Sequence, residues 1–291
     1  MADTPYSLTD RYCLNEQLRE LPVIDPTSAV GPHFVMHLGD IKSGRSSCEE
    51  WDYTDVRDIV VNAKNSVSYD PSAWFWVVGD NEWIDCPNVA EDVAFGWWKK
   101  YFVPDHPESE SVFGSHPALN VRRQNNREDN FAFYLNNVLF VGVSLIGGSV
   151  LTADIDDRLE DNRDWVTNNL ADFSDTIKAM VVFGHASLVG SSSRRSEFGD
   201  YFKTLVATQY PSLPVLYMYG DGHSYSKTVD AESGMLIVRA DDGNESRPLR
   251  VNVQTGVDGV TGFVIDDRGG SYGDSTCPLN PANEEVTWGN N

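Results

Sequence analysis

The alternation of apolar and polar positions along the chain predicts strands at about 34–39, 74–79, 131–135, 138–146, 179–184, 213–219, 234–239, 249–253 and 260–265. Amphipathic stretches at roughly 8–21, 52–65, 89–101, 156–171 and 195–208 predict helices between the earlier strands. Up to Tyr219 strands alternate with helices; after Tyr225 only strands and turn residues remain. This order predicts a mixed sheet flanked by helices, with a second, largely antiparallel sheet packed against it. The polar segment at about 104–130, which contains PDHPESES and RRQNNRED, is expected to be a surface excursion of a single domain over 1–291. Residues 269–291 are expected to be an irregular tail.

Four of the predicted strands end alike. In HFVMHLGDIKSG (33–44), WFWVVGDNEWIDC (74–86), MVVFGHASLVG (180–190) and VLYMYGDGHSY (215–225), an apolar run meets a glycine and then a side chain able to ligate a metal. An ordinary strand-to-loop turn would explain any one of them. Four together argue for a site, because in open α/β sheets the ligand crevice lies outside the carboxyl ends of the strands. Asp40, Asp80, Asn81, His185, Asp221 and His223 are therefore expected to meet. His37, inside an apolar run, reads as a hydrogen-bonded core histidine, and His33 as a strand-entry residue. His106 and His116 lie in the polar excursion and read as solvated, or as a replacement acid reaching over the site. Arg122 and Arg123 read as surface charges, and Tyr6, near Asp3, as a ligand or a packing residue. The aromatic groups Trp74–Phe75–Trp76 and Trp97–Trp98 read as core.

Composition narrows the function. With 41% hydrophobic and 11% aromatic residues, the 291-residue chain has the material for a substantial core. No apolar run reaches the length of a membrane helix, so no membrane partner is expected. Lys and Arg total 22 against 44 Asp and Glu, a net charge of −22 that argues against nucleic acid. A phosphorylated small molecule would need bound cations to invert the local field. Of the four cysteines, Cys48 and Cys86 each follow a candidate site loop, and a disulfide between them would staple the loops. Four buried thiols are the competing reading. The disulfide, with Cys13–Cys277 as the leftover pair, predicts a secreted or periplasmic protein, and the sequon at Asn244 is compatible with export.

Taken in order, ADTPYS, HLGDIKSG, VVGDNEW, VVFGH and YMYGDGH resemble the calcineurin-like metallophosphoesterases, a family that includes the purple acid phosphatases. The variant subgroup with GDTPY-like and GDNEW-DC signatures is the nearest match. The resemblance spans Asp3 to His223 and implies a four-layer α/β/β/α sandwich, two mixed sheets flanked by helices. It also implies hydrolysis of a small phosphate ester, monoester or diester, by a water activated at a dinuclear metal centre. Carried over by position, Asp3 binds the first metal, Asp40 bridges both, and Asp80 and His185 bind the second. Asn81, Asp221 and His223 fall on the remaining ligand positions, and Asn81, Asp40 and Glu82 on the catalytic ones. Three histidines of the family pattern are replaced here, by Pro5, Asn81 and Asp221. The resulting oxygen-rich shell favours manganese, magnesium, calcium or iron relative to zinc. The same replacements support an alternative: a catalytically weak metal-binding or surface-interaction protein that retains the fold.

Overall fold

The computed structural model describes residues 1–19, 21, 27, 31–63, 69–148, 154–189, 193–243, 246–255 and 261–267. The chain runs α1 (Leu8–Arg19), β1 (Val35–His37), α2 (Glu50–Val61), β2 (Trp74–Trp76), α3 (Glu91–Phe102), β3 (Arg122–Gln124), β4 (Arg127–Leu135) and β5 (Val138–Gly142). It continues with α4 (Asp154–Phe173), β6 (Ala179–Phe183), α5 (Ser193–Gln209), β7 (Val215–Tyr219), β8 (Ser226–Val229), β9 (Leu236–Arg239), β10 (Arg250–Thr255) and β11 (Thr261–Asp266).

Seven strands form the main sheet in the order β3-β4-β5-β6-β7-β9-β8. Its centre, β5 to β9, is parallel, and both margins are antiparallel. Every residue of β5, β6 and β7 is buried, which explains why these strands read as continuous apolar runs. Met180, Val182 and Tyr217 face α4 and α5, where they meet Phe198 and Phe202. Val181, Phe183, Leu216 and Met218 face the other way, into a second core. Each of these side chains contributes about 1.5–3 kcal/mol by leaving water.

The layer across that second core is in two pieces. β1 and β2 pair in parallel, with Met36 opposite Phe75, and β10 and β11 form an antiparallel hairpin with Val251 opposite Ile265. Residues 1–3 run beside the end of β1. The Met1 nitrogen donates to Met36 O (3.1 Å), and Leu38 N–H donates to Met1 O (2.8 Å). On its other side this segment bridges Asp242 at Ala2. Helices α1 to α3 cover the outer face through Trp74, Trp76, Trp98 and Phe102. The layers are thus helix, sheet, sheet and helix, the sandwich the motifs imply.

The chain divides between the layers differently from the sequence reading. The early strands β1 and β2 share a layer with the late hairpin, whereas β8 and β9 extend the main sheet. Apolar runs report burial and not which sheet buries them. The end of the polar excursion is also strand, with Asn126 taking the positive φ of the β3–β4 turn. That places Arg123 indoors: its guanidinium lies over the Phe131 ring at 5.5 Å and donates to Glu128 O at 3.2 Å. Arg122 stays exposed and pairs with Asp172. A strand sends alternate side chains to opposite faces, even in a run as polar as RRQ.

His106 and His116 serve local structure. His106 Nδ1 sits 3.1 Å from Glu128 Oε1, and His116 Nδ1 accepts the Ala118 N–H at 3.2 Å. His37 is the core histidine expected: Nδ1 accepts the Gly39 N–H (3.3 Å), Nε2 donates to Thr4 O (2.9 Å), and the ring stacks on Trp76. Burial pushes its pKa down to about 3. The tail at 269–291, with Cys277, and the sequon asparagine Asn244 lie outside the described residues. Among the described residues, no helix is long and apolar enough to cross a membrane.

Candidate metal centre

The turn after β1 brings the backbones of two loops into contact. Gly39 has φ +93°, and a Cβ there would lie 2.7 Å from His185 Nδ1 and 2.8 Å from Gly79 N. A Cβ on Gly79 would run into Asp40. The Gly-Asp repeats are thus a packing requirement: two glycines let the strand ends touch, and the acids after them then face one another.

Asp3, Asp40 and His185 are buried, and one ligand atom from each lies within 4.8 Å of the others. His185 Nδ1 is 2.7 Å from Leu38 O. A carbonyl can only accept, so Nδ1 carries the proton and Nε2 presents a lone pair when the ring is neutral. Nε2 lies 3.1 Å from Asp80 Oδ1 and 3.3 Å from Asp40 Oδ1, so with a neutral ring it faces two acceptors and only a protonated ring or a cation satisfies all three. Asp3 Oδ2 is buried without a partner. The Tyr6 hydroxyl sits between Asp3 Oδ1 (3.2 Å) and Asp40 Oδ2 (3.1 Å), with one proton to give to one of them. Asn81 donates its backbone N–H to Asp40 Oδ1 (3.1 Å) and its amide to the Tyr6 oxygen (3.3 Å).

Electrostatics record the crowding. Burial, then repulsion from Asp40 and Asp242, pushes the Asp3 carboxyl up to about 7 against the pull of His185 and His223. Burial alone would lower His185, but Asp40 and Asp80 hold it well above the ordinary imidazole value. Burial also works to raise Asp80, yet its contacts with His185 and with backbone N–H groups bring it below the usual carboxylate value. Three acids around one imidazole make a centre with too little positive charge of its own, the setting in which a cation fits.

Glu82 occupies a different place from the ligands. Fully buried, its Oε1 accepts the N–H groups of Gly79 (2.6 Å) and Asp40 (3.2 Å), and its Oε2 that of Ile41 (3.2 Å). Burial and the nearby Asp40 raise its pKa to about 8. It ties together the backbones of the two acid loops. Lys42 does similar work from the other side, donating Nζ to Ser43 O, Ser46 O and Asn81 O. The Cys48–Cys86 disulfide, with Cα atoms 5.3 Å apart, closes the same pair of loops.

Asp221 and His223 come from the loop after β7, at the more exposed side. Asp221 approaches Asp80 across Gly147: a Cβ on that glycine would lie 2.5 Å from Asp80 Oδ1 and 2.8 Å from Asp221 Oδ2. Gly147 N–H also donates to Asp80 Oδ1 (3.1 Å). His223 packs edge-on against Tyr6, and its Nδ1 lies 3.1 Å from Asp242 Oδ2. Asp3, Asp40, Asp221 and His223 all have positive φ, so backbone strain gathers at this centre.

The structure brings Asp3, Asp40, Asp80 and His185 into one buried cluster, with Asn81 bonded to it, and sets Asp221 and His223 at its rim. Gly147, Asp242 and Lys42 escaped sequence reasoning. Gly147 left a faint trace, since it too follows an apolar run; the other two gave none.

No family model and no curated protein matches the chain. Among solved structures, one described as "GAP50 the anchor in the inner membrane complex of Plasmodium" is similar with a TM-score of 0.50 and 13% sequence identity, over 84% of this chain and 71% of that one. At such identity the likeness shows the fold alone.

Proposed function

We propose that this chain is a metal-binding protein of the metallophosphoesterase type of fold, with weak hydrolysis of phosphate esters at most. The observation that carries the reading is the buried convergence of Asp3, Asp40 and His185, whose ligand atoms lie within 4.8 Å of one another, with Asp3 Oδ2 buried and without a hydrogen-bond partner. Asp3, Asp40 and His185 would hold a cation, with Asp80 next to them and Asp221, His223 and Asn81 around. When bound, a cation supplies positive charge to the acids and Lewis acidity towards a phosphoryl oxygen. Oxygen donors dominate the set, so manganese, magnesium, calcium or ferric iron suits it better than zinc.

The chain's own residues give poor support to leaving-group protonation. Asn81 stands at the position of the family's motif histidine, and its amide is spent on Tyr6. Tyr6 holds its proton firmly, because burial and the charges of Asp40 and Asp3 raise its pKa. Without a general acid, esters with poor leaving groups lose about 10²–10⁴-fold in rate. An interaction role agrees with the description of GAP50 as an anchor, and the disulfide agrees with life in an oxidising compartment.

A second reading, a dinuclear phosphoesterase acting on small organic phosphates, is favoured by one observation. Asp80 and Asp221 converge at Gly147, next to the first cluster, and offer further carboxylate oxygens. One experiment separates the two readings. Chelator-treated protein is titrated calorimetrically with manganese, magnesium, calcium, zinc and iron, then assayed on aryl and alkyl phosphates. Saturable binding with slow aryl-ester cleavage at most is the expected result. Turnover of alkyl esters at ordinary enzymatic rates would move the conclusion to the second reading, and no binding of any cation would remove both.

A further inference from the structure

Past Gly142 the chain leaves the strand ladder and runs without regular structure through Val143, Ser144, Leu145 and Ile146 to Gly147. Two of the ligand loops hang on this short stretch. Leu145 C=O accepts the N–H groups of His185 (3.0 Å) and Ala186 (2.8 Å), and Gly147 N–H donates to Asp80 Oδ1 (3.1 Å). The placement of residues 144–147 therefore sets how Asp80 and His185 face one another. Outside a ladder, buried backbone must find its hydrogen bonds elsewhere.

Ser144 finds them on two fully buried side-chain amides. Its N–H donates to Asn130 Oδ1 (2.7 Å), and its C=O accepts from Asn162 Nδ2 (3.0 Å). An N–H only donates and a carbonyl only accepts, so the orientation of each amide is fixed. The halves left over are complementary, and they meet: Asn130 Nδ2 donates to Asn162 Oδ1 at 2.8 Å. A ring of hydrogen bonds thus closes through one backbone residue, and an ionised aspartate at either position would lack the donor it needs. Asn130 Nδ2 also donates to Gln124 Oε1 (2.7 Å). One turn earlier on α4, Arg158 donates to Asp129 Oδ2 (2.6 Å) with its guanidinium 4.5 Å from the Trp83 ring, and Trp83 N–H closes the turn at Asp80 O (3.1 Å). β4 and α4 thereby brace Asp80 twice, through Gly147 and through Trp83.

We propose that Asn130 and Asn162 are positioning residues of the metal centre, which fix Asp80 and His185 against each other through Ser144 although neither amide bonds to a ligand side chain. The proposal rests on the reading of this centre as a cation site. What the ring holds is backbone: the Ser144 hydroxyl is itself buried without a hydrogen-bond partner, so the side chain takes no part. Buried amides are unfavourable unless their donors and acceptors are paired, and here the pairing goes to a residue whose neighbours carry the ligands. Groups that orient a metal ligand from behind are worth about 10–100-fold in affinity.

The test is Asn162→Leu, which keeps the size and adds no charge but removes the donor to Ser144 O. Amide hydrogen exchange without metal should show Gly147, His185 and Ala186 exchanging faster by on the order of tenfold. The amides of Asp40, Ile41 and Gly79, which Glu82 holds, should keep their rates. Calorimetric titration with manganese should show affinity lowered about tenfold. Ser144→Ala, which leaves the backbone in place, should change neither readout. Val206→Ala, buried in α5, should lower the melting temperature and leave the affinity alone. If Asn162→Leu does not fold, Gln124→Ala at the half-buried end of β3 loosens Asn130 and should speed the same amides by less. Unchanged exchange at Gly147, His185 and Ala186 would overturn the proposal, as would faster exchange spread evenly over all amides. So would a loss of affinity in Val206→Ala or Ser144→Ala equal to that in Asn162→Leu. A parent that binds no cation would remove the proposed function instead, and the exchange pattern, read without metal, would still decide whether the amides set the geometry.

Discussion

The loops that carry Asp40 and Asp80 and the loop that carries Asp221 and His223 meet at one centre but are built to different standards. The first pair is closed by a disulfide, by Glu82 on three backbone N–H groups, and by Lys42 on three carbonyls. The second is held by Arg239, which donates to Ser224 O and Oγ, and by the contact of His223 with Asp242. One half is fixed by the fold itself; the other is half open to water. Of the three positions at which the resemblance implies histidine, Pro5 and Asn81 are buried, whereas Asp221 lies on the open loop. The difference teaches that ligand identity and ligand positioning are separable here, and that affinity should depend mostly on the fixed half.

The largest expected effect comes from opening the fixed half. The Cys48–Cys86 bond closes a loop with a sequence separation of 38 residues, which the chain-entropy model values at about 4 kcal/mol. The paired Cys48→Ser, Cys86→Ser variant should lose about 2–4 kcal/mol in urea denaturation and bind cations more weakly. Undiminished cation affinity in that variant would show that the staple does not set the site.

Next comes a contrast between ligands. Asp40→Asn should lower cation affinity by more than about 100-fold, beyond what loss of an outer partner costs, and Asp221→Asn by about tenfold. Calorimetry with manganese measures both. Equal losses would mean that the open loop is as well organised as the closed one.

The fixed half was also the legible half. Asp40, Asp80 and His185 each follow a glycine at the end of an apolar run, and the two acid loops needed glycines in order to touch, so local sequence carried the geometry. Gly147 and Asp242 act through approaches made by distant parts of the chain, which no local pattern encodes. The fold was legible as strands and helices and as a sandwich, while the membership of β1 and β2 in the smaller layer was not. Glu82 shows the limit most plainly. Sequence position put it beside the chemistry, and only the three N–H groups converging on it reveal a carboxylate spent on the backbone.

A pH test bears on the junction between residues 1–5 and the first loop. His37 bonds Thr4 O and Gly39 N–H as a neutral ring, with its pKa lowered to about 3 by burial. The unfolded chain titrates near 6.5, so between about 6.5 and 3 it binds more protons than the folded one, and stability falls as pH drops through that window. At pH 5 the loss relative to pH 8 should be about 2 kcal/mol from this residue, and His37→Gln should flatten that part of the profile. An unchanged slope in the variant would assign the acid sensitivity to other groups.

The smallest effect is the sharpest comparison, because Asp40 and His223 share the same left-handed backbone, with φ 59° and 50°. A non-glycine residue there costs about 1–2 kcal/mol, so glycine relieves strain at either position. At Asp40 the relief is outweighed: its Oδ1 accepts the Asn81 N–H inside a buried network, and the truncation leaves that donor without a partner. At His223 what is lost is a half-exposed contact with Asp242, worth about 0.2–1 kcal/mol. His223→Gly should therefore leave stability unchanged or raise it by up to about 1 kcal/mol, while Asp40→Gly lowers it. Thermal melting without added metal reads both, and a His223→Gly variant as damaged as Asp40→Gly would mean that the open loop is as firmly determined as the closed pair.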